Sequence, residues 1–221
     1  AALFEEVRRL NEKYLDEIAN LKKKVGDTVV CPGALSEERV SSFYEAVRRD
    51  SPCVRDFSVK LASSSPGSYY RGGSDASPGR TGIEQIISVH RYISAEWKYV
   101  NDPLFAGSDY YSPADRTLAA GLAGDCDDFA ILLASSIEAI GGKARILGGD
   151  CNSGAHAWAE VYIGSSDAWK DTLNILKSSY PGISVSYLDG GSYWLSLDWQ
   201  IGAYSCGNNP VLLYESGKGV M

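Results

Sequence analysis

Apolar residues recur at helical spacing along the first 25 residues of the chain. The stripe consists of Leu3, Val7, Leu10, Tyr14, Ile18, Leu21 and Val25, with charged residues between them. A mean spacing of about 3.7 residues is that of a straight α-helix and not of a strict heptad repeat. The pattern predicts a helix over residues 3–25 that docks on the rest of the protein and ends at Gly26.

Two further helices are predicted before residue 100. Residues 36–50 carry apolar side chains on one face, and a third helix is expected to begin at Thr81, where Thr81 and Glu84 fit a capping box. The stretch 62–80 between them is rich in Ser, Gly and Pro and predicts a surface loop. His90 lies on the apolar stripe of the third helix, so we expect a hydrogen-bonded core residue rather than a catalytic one.

The hydrophobic period changes from helical to alternating after Gly141 and Gly142. A helix is predicted over Asp127–Ile140, and the segments that follow alternate between apolar and polar residues. The elements predicted there are the strands Ala144–Leu147, Ala155–Ile163 and Tyr193–Trp199, with a helix near Trp169–Tyr180 and a strand near Ile183–Leu188 inside the last connection. Helices followed by antiparallel strands predict the α+β class.

Composition narrows the functional classes. The chain has 221 residues, of which 44% are hydrophobic, and a formal net charge of −7. No run of Lys and Arg is dense enough to follow a phosphate backbone, so we expect no nucleic-acid partner. No apolar run is long enough to span a membrane. The first residue is Ala1 and not Met, which suggests a processed chain.

The five cysteines bear on both compartment and chemistry. None form a CxxC motif and the chain has only two histidines, so a structural zinc site is not expected. An odd number favours two disulfides and one free thiol, and we expect the pairs Cys31–Cys53 and Cys151–Cys206, with Cys126 free. Four cysteines allow three pairings, and five reduced cysteines in a cytosolic protein are the alternative. Disulfides would place the protein outside the cytoplasm, in the periplasm, secreted or lipid-anchored at the cell surface.

The sequence GDCDD, which begins at Gly124, places Cys126 among carboxylates where a loop becomes a helix. Neighbouring negative charges disfavour a thiolate, but a helix N-terminus and an imidazolium favour it. His156 and Asp198 lie on two later strands, and on one face of the sheet if those strands are neighbours. A carboxylate bonded to one imidazole nitrogen would leave the other aimed at sulfur. The N–H of Cys126 would then donate to an oxyanion.

This order of helix cysteine, strand histidine and strand aspartate resembles the transglutaminase-like superfamily of papain-like cysteine enzymes. The similarity lies in GDCDDFAILLASSIEAIGGKARIL, HAWAEVYI and YWLSLDW, and it covers residues 81–200 except 164–192. By position it implies that Cys126 is the nucleophile, His156 the general base and acid, and Asp198 the orienting carboxylate.

Two departures from the family pattern leave the third position open. Trp199 follows Asp198, where the family often has a proline, and the connection between His156 and Asp198 is unusually long. Asp189 and, as a weaker candidate, Asp171 are therefore alternatives to Asp198.

Side chains around the three residues are secondary candidates. Some members of the family use an aromatic side chain as second oxyanion donor, which implies Trp97, Tyr110 or Tyr111, although packing is the simpler role for each. Glu160 lies on the histidine face of its strand and is expected at the sheet surface.

The resemblance also bears on metals and cofactors. A similar Asp-Cys-acid run binds calcium in bacterial periplasmic relatives, which implies Asp125 and Asp127 as calcium ligands, although helix capping is the simpler role. No cofactor is expected to be required.

The function implied by the resemblance is hydrolysis of amide or peptide bonds through a thioester. The expected partner is a protein or peptide substrate, and the oligomeric state stays open. The expected organisation is an N-terminal helical region (1–61), a Ser/Gly/Pro-rich loop (62–80) and a transglutaminase-like catalytic core (81–221) with an insertion at 164–192.

Three other functions are compatible with such a core. A cross-linking transglutaminase must let an amine outcompete water, which needs a sheltered path, and no added domain is available to build one. A non-catalytic binding domain would have no use for all three candidate residues. A cytosolic peptide N-glycanase-like amidase commonly carries zinc-binding cysteine pairs, which are missing here.

Overall fold

The computed structural model describes residues 2–26, 31, 34, 40–72, 76–102, 110–152, 154–180, 186–189, 191–199, 206 and 210–218. These residues form helices and an antiparallel sheet, which confirms the α+β class. The helices are α1 (Ala2–Val25), α2 (Phe43–Ala46), α3 (Pro52–Ala62), α4 (Arg80–Glu96), α5 (Ala114–Ala119), α6 (Cys126–Ala139) and α7 (Ser166–Ser179). The strands are β1 (Lys98–Tyr99), β2 (Ala123–Gly124), β3 (Ala144–Cys151), β4 (Gly154–Gly164), β5 (Ser186–Asp189), β6 (Ser192–Leu197) and β7 (Val211–Glu215).

The helices agree with the predicted periodicity except between residues 36 and 62. Helix α2 ends at Ala46, so the prediction of a helix to residue 50 was wrong; residues 35–39 lie outside the described residues. Helix α3 was not predicted. It begins at Pro52, because proline fits the first helical position but interrupts a helix interior. Helix α4 begins at Arg80 after Gly79, without the capping box expected at Thr81.

The sheet brings the strands of the candidate histidine and aspartate together. Its five strands follow the order β5-β6-β4-β3-β7, and every pair is antiparallel. Glu160 of β4 lies opposite Ser196 of β6. Because side chains alternate across a sheet, His156 and the residue after β6 emerge on the same face. A separate parallel pair, β1 and β2, leads the chain into α6.

Helix α6 is the centre of the core. Every residue from Asp127 to Ala139 is buried, because α6 packs on β3 and β4 as well as on α3, α4 and α5. Helices α1 and α3 contribute Leu21 and Phe57 to the same hydrophobic cluster. The proposed division at residues 61 and 80 stays a prediction. Among the described residues no helix is long and apolar enough to cross a membrane.

The cysteines pair as expected. Cys31 is bonded to Cys53 and Cys151 to Cys206, and Cys126 is free. Two disulfides are consistent with an oxidising, extracytoplasmic environment.

Candidate active site

The first turn of α6 is shaped around the side chain of Asp128. Its carboxylate accepts hydrogen bonds from the backbone N–H groups of Ser112 (3.0 Å) and Asp125 (3.3 Å). A Cβ on Gly124 would lie 2.1 Å from Oδ2 of Asp128, so only glycine fits there. The Gly-Asp-Cys sequence is therefore needed for this close turn, which leaves Cys126 partly exposed at the first position of a buried helix.

The carboxylates beside Cys126 carry less negative charge than the sequence suggests. Burial, a hydrogen bond to Asp125 and the charges of Asp128 and Asp125 raise the pKa of Asp127 well above its usual range. This shift favours the protonated, neutral form of Asp127. Burial, with the charges of Asp125 and Asp102, raises the pKa of Asp128 to about 7, although two backbone N–H groups oppose the shift. Partial neutralisation makes this turn more compatible with a thiolate.

His156 lies between Cys126 and Asp198. Its Nε2 is 2.5 Å from Oδ2 of Asp198, and the ring is also hydrogen-bonded to Cys126, for which Nδ1 is the remaining nitrogen. Burial lowers the pKa of His156, but the hydrogen bonds and charges of Asp198 and Cys126 outweigh it and raise the pKa to about 9. The ring is therefore an imidazolium at neutral pH, and it donates to the carboxylate.

Asp171 and Asp189 are the alternatives to Asp198. Asp171 is exposed on α7, where its carboxylate is 2.7 Å from Nη2 of Arg71. Asp189 lies on β5, but its side chain falls outside the described part of the molecule. Asp198 therefore makes the carboxylate contact with His156. The catalytic roles of the three residues stay predictions.

His90 is buried and hydrogen-bonded, as its apolar stripe suggests. Its Nδ1 lies 2.8 Å from the Tyr180 hydroxyl, and its Nε2 lies 2.8 Å from the carbonyl oxygen of Asp198. Burial lowers the pKa of His90 to about 4, against smaller raising effects from Asp198. Sequence reasoning missed the contact with Asp198, because the two residues are 108 positions apart.

Glu160 is fully buried, so the expectation of a sheet-surface residue was wrong. Its carboxylate is 2.7 Å from the guanidinium of Arg145 and 3.3 Å from Nε1 of Trp158, which donates to it. The Trp158 ring lies nearly parallel to that of His156, at 6.3 Å between centroids. Arg145 and Glu160 occupy facing positions of the β3–β4 hairpin, so their opposite charges were a usable signal.

The three aromatic candidates differ in their surroundings. Trp97 packs edge-on against Phe129, and its Nε1 is buried without a hydrogen-bond partner in the described structure. Tyr110 lies beside the Arg116 guanidinium, and Tyr111 packs against Phe43.

Carboxylate oxygens cluster beside Cys126. Ligand atoms of Asp102, Asp125 and Asp128 all lie within 4.8 Å of one another, and Oδ1 of Asp125 is buried without a hydrogen-bond partner in the described regions. Such oxygens suit calcium. The cluster does not include Asp127, which is hydrogen-bonded to Asp125. Calcium binding by Asp125 and Asp127 stays a prediction.

Comparison with known proteins finds the family that the sequence resembles. Residues 73–172, somewhat less than half of the chain, match the family model of the transglutaminase-like superfamily. The match contains Cys126 and His156 and ends before Asp198. Among curated proteins none matches the chain.

One similar solved structure is "Putative Cysteine Protease from Cytophaga hutchinsonii", at 14% identity and a TM-score of 0.32. The similarity covers 88% of this chain and 62% of that one, so the chain spans less than two thirds of its length.

Proposed function

We propose that this chain, whose residues 73–172 match the family model of the transglutaminase-like superfamily, is a cysteine hydrolase that cleaves amide bonds in a protein or peptide. The observation that carries the proposal is the position of His156. Its ring is hydrogen-bonded both to the only free thiol and to a carboxylate 2.5 Å away. A cysteine nucleophile with a hydrogen-bonded, oriented histidine is the arrangement used for acyl transfer.

The first half of the reaction forms a thioester. The thiolate of Cys126, paired with the His156 imidazolium, attacks the amide carbonyl carbon, and a C–S bond forms as the carbonyl oxygen becomes an oxyanion. The intermediate collapses as the C–N bond breaks, and His156 gives its proton to the leaving amine. Asp198 stabilises the imidazolium and keeps its ring oriented.

The oxyanion needs donors that point toward the developing charge. The backbone N–H of Cys126 belongs to the first turn of α6, where N–H groups have no partner within the helix. The buried indole N–H of Trp97 is the candidate for a second donor, because an unsatisfied buried donor is costly without a functional use.

The second half of the reaction consumes water. His156, now neutral, takes a proton from water as the oxygen attacks the thioester carbon. The C–S bond then breaks, which releases the carboxylic acid and regenerates the thiolate–imidazolium pair. The products are one amine and one acid for each bond cleaved.

The carboxylate cluster fits a calcium ion through oxygens of Asp125, Asp128 and Asp102, with the orphaned Oδ1 of Asp125 as the supporting observation. A bound cation would offset the negative charge beside Cys126. The two disulfides support an extracytoplasmic location, in the periplasm, secreted or at the cell surface.

Alkylation tests the activated thiol without a substrate. The other four cysteines are paired, so iodoacetamide should add one label per chain, at Cys126. At mildly acidic pH we expect labelling at least about tenfold faster than that of a free model thiol. His156→Gln should abolish the advantage. A wild-type rate no faster than the model thiol would contradict the mechanism.

Product analysis tests hydrolysis. New peptide termini should appear when an extracytoplasmic protein fraction is incubated with wild type in ¹⁸O water, and ¹⁸O should enter each new carboxyl group. Cys126→Ala should produce none of these termini. A labelled primary amine added in excess separates the alternatives, because incorporation of that amine instead of ¹⁸O would identify a cross-linking enzyme.

A further inference from the structure

The contact between His90 and the backbone of Asp198 extends the candidate site into the core. We propose that His90 is a positioning residue, which holds the Asp198 carbonyl so that the Asp198 carboxylate stays against His156. The catalytic meaning of this inference rests on the proposed function, but the contacts that support it need no substrate.

The partners of His90 fix its tautomer. The carbonyl oxygen of Asp198 can only accept, so the nitrogen 2.8 Å away, Nε2, carries the hydrogen. Burial keeps the ring neutral, with a pKa lowered to about 4, so Nδ1 has no hydrogen and accepts from the Tyr180 hydroxyl at 2.8 Å. Ser94 Oγ, 3.1 Å from Nε2, is a weaker second acceptor for the same N–H.

The held carbonyl belongs to a residue that the sheet itself does not secure. Strand β6 ends at Leu197, one residue before Asp198. The carboxylate of Asp198 accepts from the N–H of Trp199 at 2.7 Å through Oδ1 and faces His156 through Oδ2. With the carbonyl on His90 and both carboxylate oxygens engaged, each polar end of Asp198 has a defined partner.

The support for His90 comes from rigid elements. The residue is only 2% exposed on α4, and its ring packs edge-on against Phe129 of α6 and Tyr180, which follows α7. Helix α6 also carries Cys126. His90 therefore connects the helix of the thiol to the strand end that carries the carboxylate, and a shift at His90 would change the geometry on both sides of His156.

Three substitutions in the full chain separate positioning from packing. His90→Gln keeps an N–H donor near the place of Nε2, whereas His90→Leu fills similar space without a donor. Ile86→Ala, on the same helix and fully buried, makes a cavity without removing a hydrogen bond to Asp198 and is the matched control. Two readouts apply: the pH profile of Cys126 alkylation, and the ¹⁵N NMR titration of His156. The chain has two histidines, so the spectrum of each His90 variant contains the imidazole signals of His156 alone.

We expect His90→Leu to slow alkylation at mildly acidic pH by about tenfold, and to move the His156 titration toward its ordinary pKa of about 6.5. His90→Gln should stay close to wild type. Ile86→Ala should lose thermal stability and keep both readouts. A folded His90→Leu with the wild-type profile, or an equal change in Ile86→Ala, would overturn the proposal.

If His90→Leu does not fold, His90→Asn replaces it. The shorter amide places its N–H donor near the position of the His90 Nδ1, toward Tyr180 and away from Asp198. His90→Asn should therefore lose the wild-type pH profile of Cys126 alkylation, which His90→Gln keeps. Equal profiles in the two amide variants would overturn the inference.

The outcome is also separable from that of the proposed function. Altered readouts in His90→Leu without cleavage by wild type would reject hydrolysis and leave the positioning role. Cleavage by wild type, together with unaltered readouts in His90→Leu, would support hydrolysis and reject the positioning role of His90.

Discussion

The two histidines of the chain are both buried, yet their surroundings shift the same side chain in opposite directions. His90 bonds to a carbonyl and a hydroxyl, and burial lowers its pKa to about 4. His156 bonds to a carboxylate and a thiol, which outweigh burial and raise its pKa to about 9. Burial opposes the imidazolium at both positions, so the charge of the partners decides which ring is protonated at neutral pH.

The largest expected effect comes from removing the charge that distinguishes His156. Asp198→Asn should lower activity about 10³–10⁴-fold, because an amide neither stabilises an imidazolium nor selects the required tautomer. The measurement is kcat/KM on a substrate found by product analysis. Asp171→Asn, at the exposed alternative carboxylate, is the matched control and should retain activity. A loss of less than tenfold in Asp198→Asn would remove Asp198 from the mechanism.

A second test concerns the buried ion pair of Arg145 and Glu160. Glu160→Gln leaves the Arg145 guanidinium buried without its carboxylate, and the free energy of unfolding should fall by about 3–5 kcal/mol. Urea denaturation measures the change. Glu84→Gln breaks the exposed pair with Arg80 and should cost less than about 1 kcal/mol. Similar losses in the two variants would contradict a buried pair.

The pH dependence of stability should show both histidines with opposite signs. The folded state binds a proton on His156 more tightly than the unfolded chain does. Its stabilisation is therefore complete below the unfolded pKa of about 6.5 and is lost as pH rises through about 9. His90 binds a proton less tightly when folded, so stability falls as pH drops from about 6.5 to about 4. Each contribution amounts to about 3 kcal/mol.

Variants separate these contributions from those of other titrating groups. The difference in unfolding free energy between wild type and His90→Gln should change with pH only on the acid side. The difference between wild type and Asp198→Asn should change on the alkaline side. Parallel pH curves for wild type and His90→Gln would show that His90 is not held neutral.

The smallest expected effect concerns the Ser94 hydroxyl, which lies beside His90. Ser94→Ala removes the longer of two acceptors of one N–H, at 3.1 Å, so we expect a loss of less than about 1 kcal/mol and activity within about twofold of wild type. Thermal unfolding and kcat/KM measure the two quantities. A tenfold loss of activity would move the main support of His90 from Asp198 to Ser94.

Parts of this fold and of the candidate site could be predicted from local patterns. Helix α1 and strand β4 follow from periodicity, because helices and strands expose side chains at fixed intervals. The pairing of the cysteines also agreed with expectation. Helix α3 was not predicted, although Pro52 fits the first position of a helix.

The sequence by itself determined that Cys126 begins a helix and that His156 lies on a strand, because these properties depend on near neighbours and on the period of the backbone. Tertiary structure alone decided that the strand of His156 pairs with the strand that precedes Asp198, that the pKa of Asp127 is raised, that Glu160 is buried against Arg145, and that His90 meets the backbone of Asp198. Protonation depends on burial and on charges brought close by folding, and neither can be read from residues that are far apart along the chain.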